Sequence, residues 1–367
     1  MELTVKTSEL AKVMKIAGRI VGTRCSLPIL EDFLFNAENN TLTVTASSSN
    51  MEVMLKTKLM ATNIAENGAV CVPAKKITDL VSLLNAEELS MKTDESNMKL
   101  SWKKGSKSQG IEKAEDYPQF LVPEEEDSII LNSQTLKDAI EKVVPFCAFN
   151  TGRLAFENVL FDVEETKTRL VASDTHILRY STVESKGNKK FSFMLSPIAL
   201  TTIKNCIGKN TKKVKVTVDS KTVMFCFDDV VVSARNISAK FPKYREIIDL
   251  KDTFDINVNR EEITNITKRL KITGDDIVLN SSPLMLTMKS ECLTGGESAT
   301  EECDCTSNGQ DLKMKFKNEK LLTALESMTS ETCVLKIKDD KKPLLIIGED
   351  DKDANDIALV MPIVMKA

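Results

Sequence analysis

Residues 167–182 read KTRLVASDTHILRYST, and this stretch decides the fold. Thr168, Leu170 and Ala172 alternate with their neighbours at period two, and so do Ile177, Arg179 and Ser181. That alternation is the mark of strands with one face in a core. Between the two runs, Ser173, Asp174, Thr175 and His176 carry the chemistry of a turn. A further strand, NVLFDV at 158–163, precedes them across the polar residues 164–167. The same order recurs twice. FLFNAENNTLTVTASSSNMEV (33–53) repeats strand, turn and strand, with Ala46 and Ser47 where the middle copy has Ala172 and Ser173. IVLNSSPLMLTMKS (277–290) repeats the hairpin in shorter form. An internal repeat fixes an architecture before any single element does.

Outward from each hairpin the copies share a programme. In the first, a strand at 2–5 leads to a helix with Ser8 as its N-cap, whose Leu10, Val13, Met14, Ala17 and Val21 share one face. Lys12, Lys15 and Arg19 share the opposite face. A second helix opens at Pro73, a favoured first-turn residue, with Ile77, Leu80, Val81 and Leu84 as its apolar stripe. In the middle copy the helices carry Leu136, Ile140, Val143 and Val144, and then Leu200, Ile203 and Ile207. In the last they carry Ile263, Ile266 and Leu270, and then Leu321, Leu322, Leu325 and Met328. The first two copies close on DYP (116–118) and FPKY (241–244), the last on the strand DIALVMPIVM (356–365). SECLTGGESATEECDCTSNG (290–309) interrupts the pattern, and its Gly/Ser/Glu-rich composition predicts a flexible insertion. The expectation is an α+β fold of three similar domains at 1–125, 126–250 and 251–367, each with two helices and about eight short strands.

Composition excludes several classes. The 367 residues are 42% hydrophobic and 28% charged, which suits a soluble chain of two or three domains with full cores. The opening MELTVKTSELAKVMKIAGRIV mixes charges into its apolar residues, so no signal peptide is expected, and no run approaches the ~20 apolar residues of a membrane span. Nine scattered cysteines suggest reduced thiols and a cytoplasmic location. A net charge of -4 argues against a simple tight DNA binder. No glycine-rich phosphate loop appears, so the chain has no visible means of hydrolysing nucleotide. His176, the only histidine, follows Asp174 by two residues and invites an acid/base reading. No nucleophile motif accompanies it, and a structural or peptide-contact histidine is expected. Cys292, Cys303 and Cys305 form one C-x-C with one distant partner, short of a four-ligand metal set. No catalytic residue, cofactor or metal is therefore expected. The alternative reading is a scaffold or hydrolase built on repeated α+β domains, supported by His176 and the cysteine stretch alone.

Six stretches, in order, carry a resemblance: TRCSLPIL (23–30), VPAKKITDLV (72–81), TGRLAFENVLFDV (151–163), VASDTHILRYS (171–181), AKFPKYREII (239–248) and ALVMPIVM (358–365). With the threefold repeat, they make the chain resemble the bacterial DNA polymerase III β subunits, the sliding clamps, over its full length. The resemblance implies three clamp domains per chain, two chains closed head-to-tail into a ring, and helices lining a channel for duplex DNA. It implies a processivity factor without catalytic activity. Its expected partners are duplex DNA held without sequence preference, a second copy of the chain, the replicative polymerase, an ATP-dependent clamp loader and other proteins with clamp-binding motifs. The chain departs from the family where glycine is usual at Thr175, where a basic residue is usual at Ile177 and Glu246, and at its last residues.

Site residues follow. The basic helix faces offer Lys12, Lys15, Arg19, Arg24, Lys75 and Lys76, then Lys137, Lys142 and Lys204, then Arg260, Lys268 and Lys317, to DNA phosphates. Such contacts carry no sequence information and suit a sliding protein. By resemblance, a partner-peptide groove takes Arg153 and Phe156, the corner Ser173, Thr175, His176, Ile177 and Leu178, Pro242 and Ile247 from the closer, and Val360, Met361, Pro362 and Ile363 from the last strand. The dimer contact is expected between Leu270 and Ile272 of one chain and Leu100 and Trp102 of the other.

Overall fold

The computed structural model describes residues 1–124, 127–187, 189–248, 250–292, 295–309 and 311–365. Six helices of nine or more residues punctuate the strands among them: α1 (Thr7–Ala17), α2 (Ala74–Leu83), α3 (Ser133–Val143), α4 (Pro197–Cys206), α5 (Arg260–Thr273) and α6 (Asn318–Glu326). Each third runs strand, helix, four strands, helix, three strands, with two extra strands, Asn63–Glu66 and Glu112–Lys113, in the first. Most of the helix-stripe residues read from the sequence are buried, among them Leu10, Val13, Met14 and Ala17 in α1 and Ile263, Ile266 and Leu270 in α5, while Val21 and Leu84 lie beyond the ends of α1 and α2 and Leu80 and Leu322 are half-buried. Ser8 is no N-cap, because α1 starts at Thr7 behind Lys6 without a side-chain cap. At α5 the cap is real: Asn259 accepts from the Glu262 amide at 3.0 Å.

The repeat shows what the cysteine stretch is. In the first two copies the third strand after the leading helix is Val53–Met60 and Ile177–Gly187; in the last copy it is Ser298–Ser307. The expected flexible insertion over 290–309 is therefore corrected. Its described part is mostly a strand, paired along its length with Met285–Glu291 and at its end with Phe254–Asn259. Cys303 and Cys305 point inward and are buried, while Glu302 and Asp304 face out. Cysteine here supplies the apolar half of a period-two alternation.

The chain divides into two compact units, one of residues 1–134, 186–188 and 198–238, the other of residues 135–185, 189–197 and 239–367. The division passes through the middle repeat because each junction between repeats is a continuous sheet. In the first unit Val53–Met60 pairs antiparallel with Val230–Arg235, the last strand of the middle repeat, in the register Thr57 to Val230. In the second unit Ile177–Gly187 pairs with Asp356–Val360, the last strand of the last repeat, in the register Ile177 to Val360. The rule is the same both times: the third strand of one repeat joins the last strand of the next. By that rule two strands lack a partner repeat within the chain. Gly105–Gly110, the third strand after α2 and so the counterpart of those last strands, pairs only with Asn97–Trp102 among the described residues. Residues 298–304 likewise pair only with Met285–Glu291.

Matching tyrosines close the first two repeats. Tyr117 is buried with its hydroxyl donating to the Asp32 carbonyl at 3.4 Å, and Tyr244 donates to Asp162 Oδ2 at 2.6 Å. No helix of the described residues is long and apolar enough to cross a membrane.

Candidate partner-binding cleft, basic faces and sheet edges

The turn at 173–177 is built by its own side chains. Ser173 Oγ donates to the Ile177 carbonyl at 2.7 Å and accepts from the Thr175 amide at 3.1 Å. Asp174 Oδ1 accepts from the amides of His176 and Ile177, both at 2.8 Å, as aspartate does in Asx-turns. Asp174 Oδ2 meets Lys320 Nζ of α6 at 2.7 Å. Thr175 at the apex has φ 82°, left-handed backbone that a β-branched residue rarely adopts.

This turn forms one wall of a cleft of about 610 Å³. Thr175, His176 and Ile177 face residues from the end of the middle repeat's first helix and the loop beyond it: Pro145, Cys147, Ala148, Phe149, Arg153 and Phe156. Glu319, Lys320 and Thr323 of α6 complete the lining. The loop is fixed from below by Glu157, whose Oε1 accepts from the Gly152 amide at 2.8 Å and from Thr151 Oγ1 at 3.0 Å. Those bonds, the Gly152 amide's first, hold the Glu157 carboxyl below its usual range. Gly152 itself has φ 72°, which glycine takes without cost. The loop thus holds Phe149 out at 86% exposure beside the cleft.

Of the expected groove residues, Arg153, Phe156, Thr175, His176 and Ile177 come together here. Ser173 lies beneath as a hydrogen-bonding element. Leu178 and Val360 are corrections: Leu178 packs into a core cluster with Tyr180, Tyr244 and Leu359, and Val360 is 1% exposed in the sheet. Ile177 is buried as well, but successive side chains of a strand point to opposite faces, and only the Ile177 face lines the cleft. Met361 is exposed and its amide donates to the His176 carbonyl at 2.8 Å; the Ile363 amide donates to Lys315 at 2.7 Å. Pro242, two residues before the one-turn helix Tyr244–Ile247, and Ile247, its last residue, are exposed but do not line the cleft. Arg245 anchors that turn, with Nη2 2.7 Å from Asp162 Oδ2 and 2.6 Å from Glu164 Oε1. Burial opposes the charge on Arg245, yet the two carboxylates hold its guanidinium above its ordinary value. Sequence reading missed Phe149, Glu319, Lys320 and Thr323; only the repeat, which puts a helix start at 318, pointed toward the last three.

The Asp174–His176 pairing is no acid/base dyad, since Asp174 spends both oxygens on two amides and Lys320. Burial, then Glu262, pushes the Cys303 thiol up to about 12, in keeping with its place on the inner face of the strand.

The basic faces separate by repeat. Lys12, Lys15, Arg19, Arg24, Lys75 and Lys76 are all exposed. Lys12 pairs with Glu9 at 2.7 Å and Arg19 donates to the Asn205 carbonyl at 2.9 Å, while Lys15, Arg24, Lys75 and Lys76 show no ion pair among the described residues. In the middle repeat the expected exposed lysines are corrected. Lys137 and Lys204 are half-buried, and Lys142 is held by Asp356 Oδ2 at 2.8 Å. In the last repeat Arg260 Nε donates to the Ser330 carbonyl at 2.9 Å, Lys268 pairs with Glu326 at 2.9 Å and Lys317 with Asp276 at 2.7 Å.

The expected dimer residues divide too. Leu100 and Leu270 are fully buried inside the chain and cannot themselves be a contact surface. Ile272 is 87% exposed, and Trp102 is half-buried over Gly105, where an added Cβ would stand 2.7 Å from the indole.

The sequence matches the N-terminal, central and C-terminal domains of the DNA polymerase III beta subunit over residues 1–121, 130–243 and 245–363. It is 22% identical to the beta sliding clamp of Haemophilus influenzae, and equally to that of Escherichia coli K12, over 99% of both chains in each case. Its fold is similar to the DNA polymerase sliding clamp of Pseudomonas aeruginosa (TM-score 0.94, 19% identity) and to the DNA polymerase III beta subunit of Thermotoga maritima (TM-score 0.89, 21% identity), each over the whole of both chains.

Proposed function

The chain belongs to the DNA polymerase III beta subunit family, and from that footing we propose that it acts as a DNA sliding clamp, a ring without catalytic activity that encircles duplex DNA. The observation that carries this reading is the pairing rule of the repeats. Twice within the chain, the third strand of one repeat takes the last strand of the next. Continued once more, the rule gives residues 298–304 the edge of Gly105–Gly110 from a second copy. Two copies related by a twofold axis satisfy both strands at once, and six repeats close. Charge supports the match, with Glu302 and Asp304 exposed on one strand and Lys99, Lys103 and Lys104 exposed on the opposing hairpin. Ile272 and Trp102 are then the apolar contacts, with Leu270 and Leu100 supporting them from inside.

In this reading the three clamp domains are 1–125, 126–250 and 251–367, and the exposed cations of α1, α2 and Arg24 face the channel. Tethering is topological, so the polymerase gains effective concentration at the primer without the clamp gripping any sequence. The cleft beside His176 docks peptides of the polymerase and of other clamp-binding proteins, an ATP-driven loader opens the ring, and the protein works in the cytoplasm.

One experiment tests the whole. Sedimentation at micromolar concentration should show the mass of two chains, and the loaded protein should persist on nicked circular DNA while running off the linear form. Reversing the charge of Lys12, Lys15 and Arg19 together should weaken retention, more so as salt rises. A species of one chain's mass alone, or equal loss from circle and line, would refute the ring.

A further inference from the structure

The turn that walls the cleft contains a residue unsuited to it, and something outside the turn holds it in place. Thr175, β-branched, sits at φ 82°. What keeps it there is Asp174, which pins the next two amides with one oxygen and gives the other to Lys320. The Asp174 side chain is only 10% exposed and Lys320 28%, so this is no loose surface pair. The turn belongs to the middle repeat and Lys320 to the third helical position of α6.

We infer that Lys320 is a positioning residue for the cleft: by gripping Asp174, it holds the strained 173–177 turn in the shape that presents His176 and Ile177. The inference rests on the cleft's being the peptide-docking site. Without Lys320, an almost buried carboxylate has no counter-charge and gains by turning toward water. The two amide bonds that hold the kink then go with it. Thr175 relaxes out of the left-handed region, and the His176 carbonyl leaves the Met361 amide, now 2.8 Å away. Lys320 thus acts on the cleft through the backbone and needs no contact with the peptide. Glycine at 175 carries no such strain, so the turn would keep its shape unaided and Lys320 would matter little. Lys320 and Thr175 are therefore coupled in a way that two independent lining residues are not.

The test uses the full chain with Lys320→Met, Lys320→Arg, Thr175→Gly and the double variant Lys320→Met/Thr175→Gly. His176 is the only histidine, so its labelled imidazole gives a single NMR signal at the turn. A fluorescent peptide copied from the same cell's replicative polymerase gives the second readout. The wild type and Lys320→Arg should show one sharp imidazole signal. Lys320→Met should broaden or split it and weaken the peptide about tenfold, with the dimer intact by sedimentation. In the Thr175→Gly background, Lys320→Met should change affinity less than twofold and leave the signal single. An unchanged His176 signal in Lys320→Met would overturn the inference. So would equal affinity losses in both backgrounds, which would make Lys320 a direct peptide contact. Absence of peptide binding by the wild type would sink the docking reading alone, because the imidazole signal still decides what Lys320 does to the turn.

Discussion

Arg179 and Asp356 form a contact across the sheet that joins the middle and last repeats, and substituting them one at a time should give effects of opposite sign. Arg179 is fully buried. Its Nη2 stands 3.7 Å from Asp356 Oδ1, its Nη1 is 2.9 Å from Met328 Sδ, and its Nε and Nη2 have no hydrogen-bond partner among the described residues. Burial drags the guanidinium below its ordinary value, with Asp356 the foremost opposing charge. Asp356 also accepts from Ser181 Oγ and from Lys142. Asp356→Ala strands a buried cation, which typically costs about 3–5 kcal/mol. Solvent reaches Asp356, which is 28% exposed, so the lower end, about 3 kcal/mol, is expected. Arg179→Met instead removes two unsatisfied donors and fills the space with an apolar side chain, leaving Asp356 to Lys142. That change should lie between neutral and about 2 kcal/mol stabilising. The double variant should resemble Arg179→Met, a coupling of about 3 kcal/mol. Scanning calorimetry is the assay. The transition containing this sheet should drop by roughly 6–12 °C in Asp356→Ala, at ~2–4 °C per kcal/mol for a unit of ~150–250 residues. If Arg179→Met lowered it as far, the guanidinium would be a net stabiliser and the reasoning from its orphaned donors would be wrong.

Two further predictions concern the tail and pH. Deleting residues 361–367 breaks the Met361–His176 and Ile363–Lys315 bonds but spares the paired strand Asp356–Val360. The dimer should survive by sedimentation while affinity for polymerase-derived peptides falls at least ~tenfold, about 1.4 kcal/mol; unchanged affinity would place docking elsewhere. Asp32 is raised to about 6, by burial first and then by Glu112 and Glu31, so the folded state binds its proton more tightly than the unfolded chain. The chain therefore loses stability as pH rises from ~4 through 6, at most ~3 kcal/mol, and about 1–2 after solvent screening. Asp32→Asn should melt higher than wild type at pH 7–8, with the gap closing as pH falls from 6 to 4 by thermal unfolding. A gap that stays constant with pH would refute the assignment.

The fold was legible because its signals are local. Period-two alternation and helix stripes depend on neighbours a few residues apart, and the threefold recurrence checked each reading against two others. The stretch 290–309 escaped because composition was weighed above periodicity. Its serines, glycines and glutamates look like a loop, while the alternation rests on Cys303 and Cys305 standing in for aliphatic residues. The repeat alone could have corrected this, since a third strand was missing from that place and from no other copy.

The site was half legible for the same reason. Arg153, Phe156 and the turn residues lie within one short span, and their joint presence in the cleft needed only the hairpin to form. The opposite wall comes from α6, and nothing near Asp174 in sequence announces Lys320. Charge shows the limit most clearly. That Lys142 is cationic is plain from the sequence; that it is occupied is not, because its carboxylate lies 214 positions away. Of the twelve cations expected at DNA, the six of the first repeat are exposed and only Lys12 has an ion pair among the described residues, whereas the six of the other two repeats are bonded or half-buried. If the ring closes as proposed, the available positive charge in its channel is unevenly spread. Phosphates would then be held chiefly by α1, α2 and Arg24, and the duplex would lean toward the first repeats of the two chains.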